Sequence, residues 1–318
     1  MKKKEKKFIA PNEASLGRWI GTLVAGVAIG YGLCLFLIPY VLNHLGENPD
    51  GTYALVGTSM GMSSFQFLVH MAFVALFWGL VISLKAVGKT SLKDFVLGVG
   101  GKINWKECMT ILGLYLVGIV LSYLPLVEYI RPREVNAGDF ALMTVFMLLT
   151  VWEQSTWEEL VFRGLLIRWA CKNEIGFTKK SYIVAIVTSV AFALGHAQNP
   201  EVTSQGGIQV LLALTSYGIT GFLFFFVSMY FGNLMPGIIV HWINNFVLST
   251  VISAEVSVVD VPTLLMDTSP HSGAIMVISN LIPWLPLMVY ICLDYRKKKK
   301  APGMHPEALG PQACTERN

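Results

Sequence analysis

The chain has 318 residues, of which 54% are hydrophobic and only 14% are charged. Since a soluble domain carries about 25% charged residues, this composition excludes an ordinary soluble protein and indicates a polytopic membrane protein. The net charge of +4 comes from short lysine runs beside apolar segments. Such runs are typical of membrane orientation and lipid contact, so we expect the lipid bilayer and no nucleic acid as a partner.

Eight segments are apolar over about the 20 residues that a membrane-spanning helix needs. These segments are residues 17–43, 65–86, 108–127, 139–170, 181–197, 207–231, 234–254 and 274–295. The sequence therefore predicts an all-α fold, a polytopic bundle of about eight transmembrane helices. Gly26 and Gly30 in the first segment are spaced for close helix packing, which we expect within the chain rather than in a dimer.

Positive charge alternates between the connections, as it does in membrane proteins with a fixed orientation. The basic connections and tails contain Lys85, Lys89, Lys93, Lys102, Lys106, Arg168, Lys172, Lys179, Lys180 and the run from Arg296 to Lys300. The connections 44–64, 198–206 and 255–273 contain no lysine or arginine, and 128–138 contains only two arginines. Both termini are therefore predicted to be cytoplasmic, in a bacterial plasma membrane or, for a eukaryotic chain, in the endoplasmic reticulum.

The apolar segments and the charged connections together divide the chain into five predicted regions. They are a basic cytoplasmic tail (1–16), N-terminal spans (17–138), a catalytic core (139–254), an outer loop with the last span (255–295), and a basic, disordered cytoplasmic tail (296–318). The catalytic assignment of the third region depends on the polar residues within it.

Two adjacent carboxylates and an arginine lie within the fourth apolar segment, at Glu158, Glu159 and Arg163. Charged side chains at membrane depth are costly, and they usually face a protein interior or a water-filled cavity with a function. Glu159 and Arg163 are four residues apart, the spacing of an ion pair on a helix. Glu158 is then the less neutralised carboxylate, and burial makes such a group a better base for activating water.

The fourth segment is also longer than one crossing needs. Thr156 and Glu159 fit the capping box that begins a helix, so we expect a break near Gln154 and a second helix from there. Capping is also an alternative explanation of Glu159 alone. It does not explain Glu158 or Arg163.

Three further polar residues lie deep in later apolar segments. His196 follows Phe192 by four residues, and Asn245 follows His241 by four, so each pair shares a helix face. Imidazole and amide groups can stabilise a developing oxyanion or orient a water molecule. Each of them could instead be only an interhelical hydrogen-bond partner. Further candidates for the cavity wall are Trp157, Asn199 and Trp242.

The three motifs, in this order and in membrane segments, resemble those of the CAAX prenyl protease and bacteriocin-processing (CPBP, or Abi) family of intramembrane endopeptidases. The resemblance covers about residues 139–254. It implies a general base at Glu158, with Glu159 and Arg163 as its companion carboxylate and arginine. It also implies oxyanion-stabilising or water-orienting roles for the residues His196, His241 and Asn245.

The implied activity is hydrolysis of a peptide or protein substrate by glutamate-activated water, without a cofactor. The substrate would be a prenylated CAAX-type C-terminus, as in the eukaryotic members, or a bacterial peptide. A zinc-dependent version is an alternative, because a glutamate and two histidines form a zinc ligand set, although no H-E-x-x-H is present. Alternatives from other classes are a proton-coupled transporter and a non-enzymatic immunity protein.

The depth of the polar residues in the membrane indicates the side of the membrane to which a cavity would open. At about 1.5 Å per residue, Glu158 and His241 lie roughly 12 to 15 Å from the predicted cytoplasmic ends of their segments. His196 lies roughly 23 Å from the start of its segment, which fits less well. These depths favour a cavity open to the cytoplasm without deciding the face.

Overall fold

The computed structural model describes residues 16–42, 45–47, 52–55, 58–98, 100–167, 178–257, 261–270 and 272–300. The predicted N-terminal tail, except Leu16, and the predicted C-terminal tail from residue 301 lie outside these residues. The described helices are α1 (Leu16–Leu42), α2 (Ser64–Ala86), α3 (Leu92–Leu97), α4 (Trp105–Tyr123), α5 (Ala137–Glu159), α6 (Lys179–Gly195), α7 (Pro200–Thr203), α8 (Ile208–Phe231), α9 (Met235–Thr250), α10 (Gly273–Leu281) and α11 (Leu285–Lys300). The chain is an all-α polytopic membrane protein, as predicted.

Five helical stretches are long and apolar enough to cross a membrane. These are Gly17–Pro39, Gln66–Ala86, Trp105–Tyr129, Ile208–Phe231 and Gly273–Lys298. Each coincides with one of the eight predicted spans. The other three predicted spans contain α5, α6 and α9, of which α6 has only 17 residues and α9 only 16. The total of eight crossings therefore stays a prediction.

Helix α5 begins where Asn136 accepts hydrogen bonds from the first free backbone amides, and it runs unbroken through Gln154. The predicted break there is wrong. The Thr156 hydroxyl is buried and has no hydrogen-bond partner among the described residues, so it does not cap a helix. The irregularity instead follows the acidic pair, where Leu160–Leu165 form a π-helical turn. Such turns are rare and frequently occur at functional sites.

Short strands lie in connections that the sequence left as loops. One sheet contains β1 (Leu45–Glu47), β2 (Thr52–Leu55) and β3 (Thr58–Ser63), and the other contains β4 (Ile130–Pro132), β5 (Ile252–Ala254) and β6 (Leu265–Asp267). In the second sheet β6 is central, antiparallel to β4 and parallel to β5. It therefore joins the connections that follow α4 and α9.

The helix ends form two groups. The strand end contains the β4–β6 sheet and the first residues of α8 and α10, where Ala274 N donates to Gln209 Oε1 over 3.3 Å. The basic end contains α3 and the turn between α8 and α9, joined by a 2.9 Å hydrogen bond from Leu234 N to Val96 O. The connections predicted to share a side of the membrane thus lie together in the structure.

The first residues of the predicted C-terminal tail belong to a helix. Helix α11 continues through Arg296 and Lys297 to Lys300, so these residues are helical rather than disordered. Lysine and arginine are good helix formers, and basic residues at a helix C-terminus interact favourably with its dipole.

Helices α1 and α2 approach each other closely at glycines. A Cβ atom at Gly79 of α2 would lie 2.4 Å from Gly30 N and 2.5 Å from Gly26 O. Only a residue without a side chain permits this contact. Gly26 and Gly30 therefore pack within the chain, as predicted.

Candidate active site

A buried ion pair links α5 to α9. Arg163 Nη1 donates to Glu159 Oε1 over 2.9 Å, and His241 Nδ1 lies 2.9 Å from the same oxygen. The three residues are 1%, 0% and 3% exposed, respectively. The predicted ion pair is therefore confirmed, and His241 completes it from a second helix.

Further contacts fix the Arg163 side chain. Its Nη2 donates to the Gly221 carbonyl of α8 over 2.9 Å, and its guanidinium lies 4.6 Å from the Phe192 ring centre and 5.3 Å from that of Phe224. A Cβ atom at Gly221 would lie 2.9 Å from Nη2, so a glycine leaves room for the guanidinium. Aromatic faces attract a desolvated cation. Arg163 thereby connects α5, α6 and α8.

Glu158 has a different environment from that of its neighbour. Its Oε1 accepts a 3.4 Å hydrogen bond from Gln154 Nε2, one helical turn earlier. Its Oε2 lies 3.8 Å from His241 Nε2 and is buried without a hydrogen-bond partner among the described residues. The Oε2 of Glu159 is likewise buried without a hydrogen-bond partner among the described residues, so the two carboxylates differ in the partners of Oε1.

His196 lies just past the last residue of α6. Its Nδ1 is 2.7 Å from the Phe192 carbonyl oxygen, and its ring stacks on Tyr217 of α8 with centres 4.3 Å apart. The predicted contact with Phe192 is confirmed, with ring centres 4.5 Å apart. Because a carbonyl oxygen only accepts, Nδ1 carries the hydrogen, and Nε2 of the neutral ring is an acceptor.

Asn245 is oriented by a short chain of hydrogen bonds. Tyr115 of α4 donates to Asn244 Oδ1 over 3.2 Å, and Asn244 Nδ2 donates to Asn245 Oδ1 over 3.1 Å. Since the oxygen of Asn245 is engaged as an acceptor, its NH₂ group is the part that can donate. The assignment of oxygen and nitrogen follows from this chain of donors.

One cavity of about 600 Å³ brings the predicted residues together. Four of them line it, namely Glu158, His196, His241 and Asn245. Glu159 and Arg163 do not line it and lie behind its wall, fully buried. The structure thus separates the six predicted residues into four that face the cavity and two that support it.

The additional candidates differ in position. Trp157 and Asn199 line the cavity. Trp242 is not among the described lining residues and packs against Trp152 and Phe246, so its prediction as a wall residue is wrong. It shares a helix with His241 but points to a neighbouring aromatic cluster.

Sequence reasoning missed Tyr217 and Glu201, which contact the wall candidate Asn199. Tyr217 donates to Glu201 Oε1 over 2.5 Å, and Asn199 Nδ2 contacts both groups, at 3.2 and 3.0 Å. These three residues come from α7, α8 and the connection before α7, and no spacing in the sequence relates them. The hydrogen bond from Gln154 to Glu158 could have been predicted from the sequence, because residues four apart lie side by side on a helix.

The cavity extends to the strand end. Its wall includes residues from the second sheet and from the segment before α10, such as Ser253, Asp267 and Ser272. The cytoplasmic opening that the depths favoured stays a prediction, since the side of the membrane on which the strand end lies is inferred from charge alone. Helix α6 ends at Gly195, and the chain then continues through α7 beside Tyr217, which is well inside α8.

The comparisons with known proteins agree with this geometry. A family described as Type II CAAX prenyl endopeptidase Rce1-like matches residues 140–247, which contain all six predicted residues. The chain therefore contains an Rce1-like domain. The family predicted from the three motifs is confirmed, and it is a family of CAAX-type intramembrane proteases.

A curated relative of the chain extends beyond the Rce1-like domain. The uncharacterized protein YyaK of Bacillus subtilis (strain 168) is 24% identical over 245 residues, which cover 74% of this chain and 77% of YyaK. No solved structure matches the chain. The similarity to YyaK adds no activity.

The acidic and imidazole groups also bear on the zinc alternative. Among the described residues, no three histidine, cysteine, aspartate or glutamate side chains are grouped as a metal site. His241 directs Nδ1 to Glu159, which leaves only Nε2 as a ligand atom, and Glu158 Oε2 lies 3.8 Å away from it. Metal analysis of the purified protein therefore distinguishes the zinc-dependent mechanism from the metal-free one.

Proposed function

We propose that the Rce1-like domain hydrolyses peptide bonds within the membrane, with Glu158 as the general base. The observation that carries the proposal is the contrast within the acidic pair. Glu159 is paired with Arg163 at 2.9 Å and lies behind the cavity wall, whereas Glu158 lines the cavity. Two adjacent carboxylates thus have separate tasks, one structural and one chemical.

The surroundings of the two carboxylates support Glu158 as the base. Oε1 of Glu159 is shared by Arg163 and His241, whereas Oε1 of Glu158 accepts a 3.4 Å hydrogen bond from Gln154. Because Glu158 lines the cavity and Glu159 lies behind its wall, Glu158 is the carboxylate that a water molecule in the cavity can reach.

The reaction then needs two proton transfers and one new bond. Glu158 accepts a proton as the oxygen of water forms a bond with the peptide carbonyl carbon, which gives a tetrahedral oxyanion. The protonated Glu158 afterwards donates this proton to the leaving nitrogen as the C–N bond breaks. All electrons and protons are supplied by the water and the substrate.

The other wall residues support these steps. The NH₂ of Asn245 is a donor for the oxyanion, and preorganised donors of this kind are worth about 10² to 10³ in rate. Nε2 of His196, an acceptor in the neutral ring, orients the attacking water. His241 is held by Glu159 through Nδ1 at 2.9 Å, and its Nε2 lies 3.8 Å from Glu158 Oε2.

The substrate is a peptide or protein segment that reaches the cavity from the bilayer or from water. Aromatic side chains such as Phe73, Phe162 and Phe192 line part of the wall, which suits an apolar side chain or a prenyl group. A bacterial peptide and a prenylated C-terminus both fit this description. A peptide library that contains both kinds separates them.

The decisive experiment compares Glu158→Gln with the wild type in a cleavage assay of purified protein. Glutamine keeps the shape but cannot accept the proton, so we expect turnover to fall by about 10²- to 10⁴-fold. The matched control is Glu153→Gln on the same helix, where glutamine can still accept the 3.0 Å hydrogen bond from Trp78. Wild-type turnover by Glu158→Gln would remove Glu158 from the mechanism.

Two further measurements address the alternatives. Stoichiometric zinc in the purified protein, together with loss of cleavage in chelator, would replace the metal-free mechanism. Proton-coupled flux in liposomes without any cleavage would indicate a transporter, and an immunity protein would keep its biological effect in Glu158→Gln.

A further inference from the structure

Part of the cavity wall belongs to α2, which lies outside the Rce1-like domain. The described lining residues of α2 are Gln66, Val69, His70 and Phe73. They follow one another at spacings of three, one and three residues, so they share one helix face. The family match covers residues 140–247. The cavity is therefore completed by a helix that the family match does not include.

This face of α2 reaches the acidic pair through an aromatic contact. The ring of Phe73 meets that of Trp157 edge-on, with centres 5.6 Å apart. Trp157 directly precedes Glu158 in α5, and both line the cavity. At about 1.5 Å per residue, His70 lies roughly 4.5 Å along α2 from Phe73, and Gln66 roughly 10 Å. An extended peptide advances about 3.3 Å per residue, so the face matches about three substrate residues.

His70 is the residue of this face whose presence the packing does not explain. It is 4% exposed, and its Nδ1 is buried without a hydrogen-bond partner among the described residues. Its ring packs edge-on against Phe146 of α5, with centres 5.9 Å apart. A phenyl ring would make the same contact without burying an unpaired nitrogen, which destabilises a fold. His70 thus has polar capacity that the described part of the chain does not use.

Another buried polar residue of α2 provides a contrast. Ser83 is 0% exposed, and its hydroxyl donates to the Thr22 carbonyl of α1 over 2.7 Å. Ser83 therefore joins two helices and is explained by packing alone. His70 lines the cavity instead.

We propose that His70 binds the backbone of the substrate peptide, about one or two residues from the cleaved bond. The proposal rests on the proposed function, because it adds a substrate contact to the same site. A peptide that leaves water for the cavity needs new partners for its N–H and C=O groups. A neutral imidazole has one donor and one acceptor nitrogen, so it can serve either group. Helix α2 then holds the peptide while Glu158 and Asn245 act on the cleaved bond.

The contact is measured as peptide affinity in protein that does not turn over. Fluorescein-labelled peptides of the cleavage library are titrated into Glu158→Gln protein, and the tightest binder is the probe. We expect His70→Phe in this background to raise the Kd of the probe about fivefold. The Tm should stay the same or rise, because the phenyl ring keeps the packing on Phe146. His70→Gln, which donates and accepts, should recover most of the affinity. An unchanged Kd in His70→Phe, or no binding of any peptide, would overturn the inference.

The matched control on the same helix is Ser83→Ala. It removes a satisfied hydrogen bond far from the cavity wall, so we expect a lower Tm and an unchanged Kd. The two variants should thus have opposite effects. A Kd raised equally by Ser83→Ala would show that α2 acts on affinity only through its packing, and this would overturn the inference.

The backbone group that His70 binds is located with peptides in which one amide is replaced by an ester. An ester lacks the N–H, and its carbonyl is a weaker acceptor. We expect one replacement to weaken binding to protein with His70 but not to His70→Phe. Additive effects of peptide and protein changes at every position would overturn the inference. Cleavage of the same peptides by protein with Glu158 intact tests the proposed function separately, since its absence would overturn that function whatever the affinities are.

Discussion

Helices α1 and α9 differ in almost every property that a sequence reveals. Helix α1 is long and apolar, and it exposes Val24, Leu35 and Phe36 by 61%, 59% and 78%. Helix α9 has 16 residues and is mostly buried among other helices, with His241 only 3% exposed. A helix that faces lipid must be apolar along its length, whereas a helix enclosed by protein need not be. His241, which lines the cavity, lies on a helix of the second kind.

The two regions are also held together by different forces. Helices α1 and α2 join through the close backbone approach at Gly79, which depends on small residues and van der Waals contact. Helices α5 and α9 join through the Glu159, Arg163 and His241 cluster, which depends on charge. Substitutions in the two regions should therefore affect stability and turnover in different ways.

The largest effect is expected for Arg163→Met. Loss of the guanidinium leaves Glu159 buried without its cation, which costs about 3 to 5 kcal/mol of stability. Thermal unfolding in detergent should show a lowered Tm. The double variant with Glu159→Gln removes the stranded charge as well and should recover much of the loss. An unchanged Tm for Arg163→Met alone would show that the cluster does not hold the site helices together.

A smaller loss is expected for Gly79→Leu in the lipid-facing pair. The new side chain would meet the backbone of α1, and such overpacking costs about 1 to 3 kcal/mol. The control is Gly32→Leu, because a Cβ atom at Gly32 has nothing within 4 Å. Turnover per folded molecule should stay unchanged in both. Loss of turnover in folded Gly79→Leu protein would mean that the two regions are coupled.

Tyr217→Phe should have a modest effect on activity. The variant keeps the ring stacked on His196 but loses the hydrogen bonds with Glu201 and Asn199. Such a bond is worth about 1 kcal/mol, so we expect turnover to fall about fivefold with little change in Tm. Tyr217→Leu also loses the stacking and should fall further. Equal activity of the two variants would show that the stacking has no role in positioning His196.

The smallest effect is expected for Phe36→Leu. This side chain is 78% exposed, so the free energy of unfolding should change by less than about 0.5 kcal/mol. The same replacement at Phe224, whose ring stacks on His241 with centres 4.6 Å apart, should lower both Tm and turnover. Equal changes in Tm and turnover at the two positions would contradict the proposed difference between the lipid-facing and the enclosed helices.

Hydropathy and charge predicted the outer part of the fold well. The five stretches that qualify as membrane spans were all predicted, because lipid exposure imposes an apolar composition that can be read residue by residue. The strands β1–β6 were missed. They have only three to six residues each, which is too short for a clear alternating pattern, and β4 also pairs with a distant part of the chain.

The site was predictable where its residues are close in sequence. The Glu159–Arg163 pair and the Phe192–His196 contact follow from helical spacing, and the structure contains both. The supporting contacts of Tyr217 and of Asn244 depend on how separate helices pack. The predicted helix start near Gln154 was wrong because Thr156 and Glu159 match only the residue types of a capping box. The apolar residues before them continue helix α5 without a break.

The π-helical turn at Leu160–Leu165 accommodates one residue more than an α-helix would place there. Removing one residue from this stretch would therefore let an ordinary helix re-form, and the helix on either side would keep nearly the same face towards its neighbours. The same deletion in the regular part of α5 would rotate everything after it by about 100°. A one-residue difference in length between homologues is therefore expected at this turn rather than elsewhere in α5.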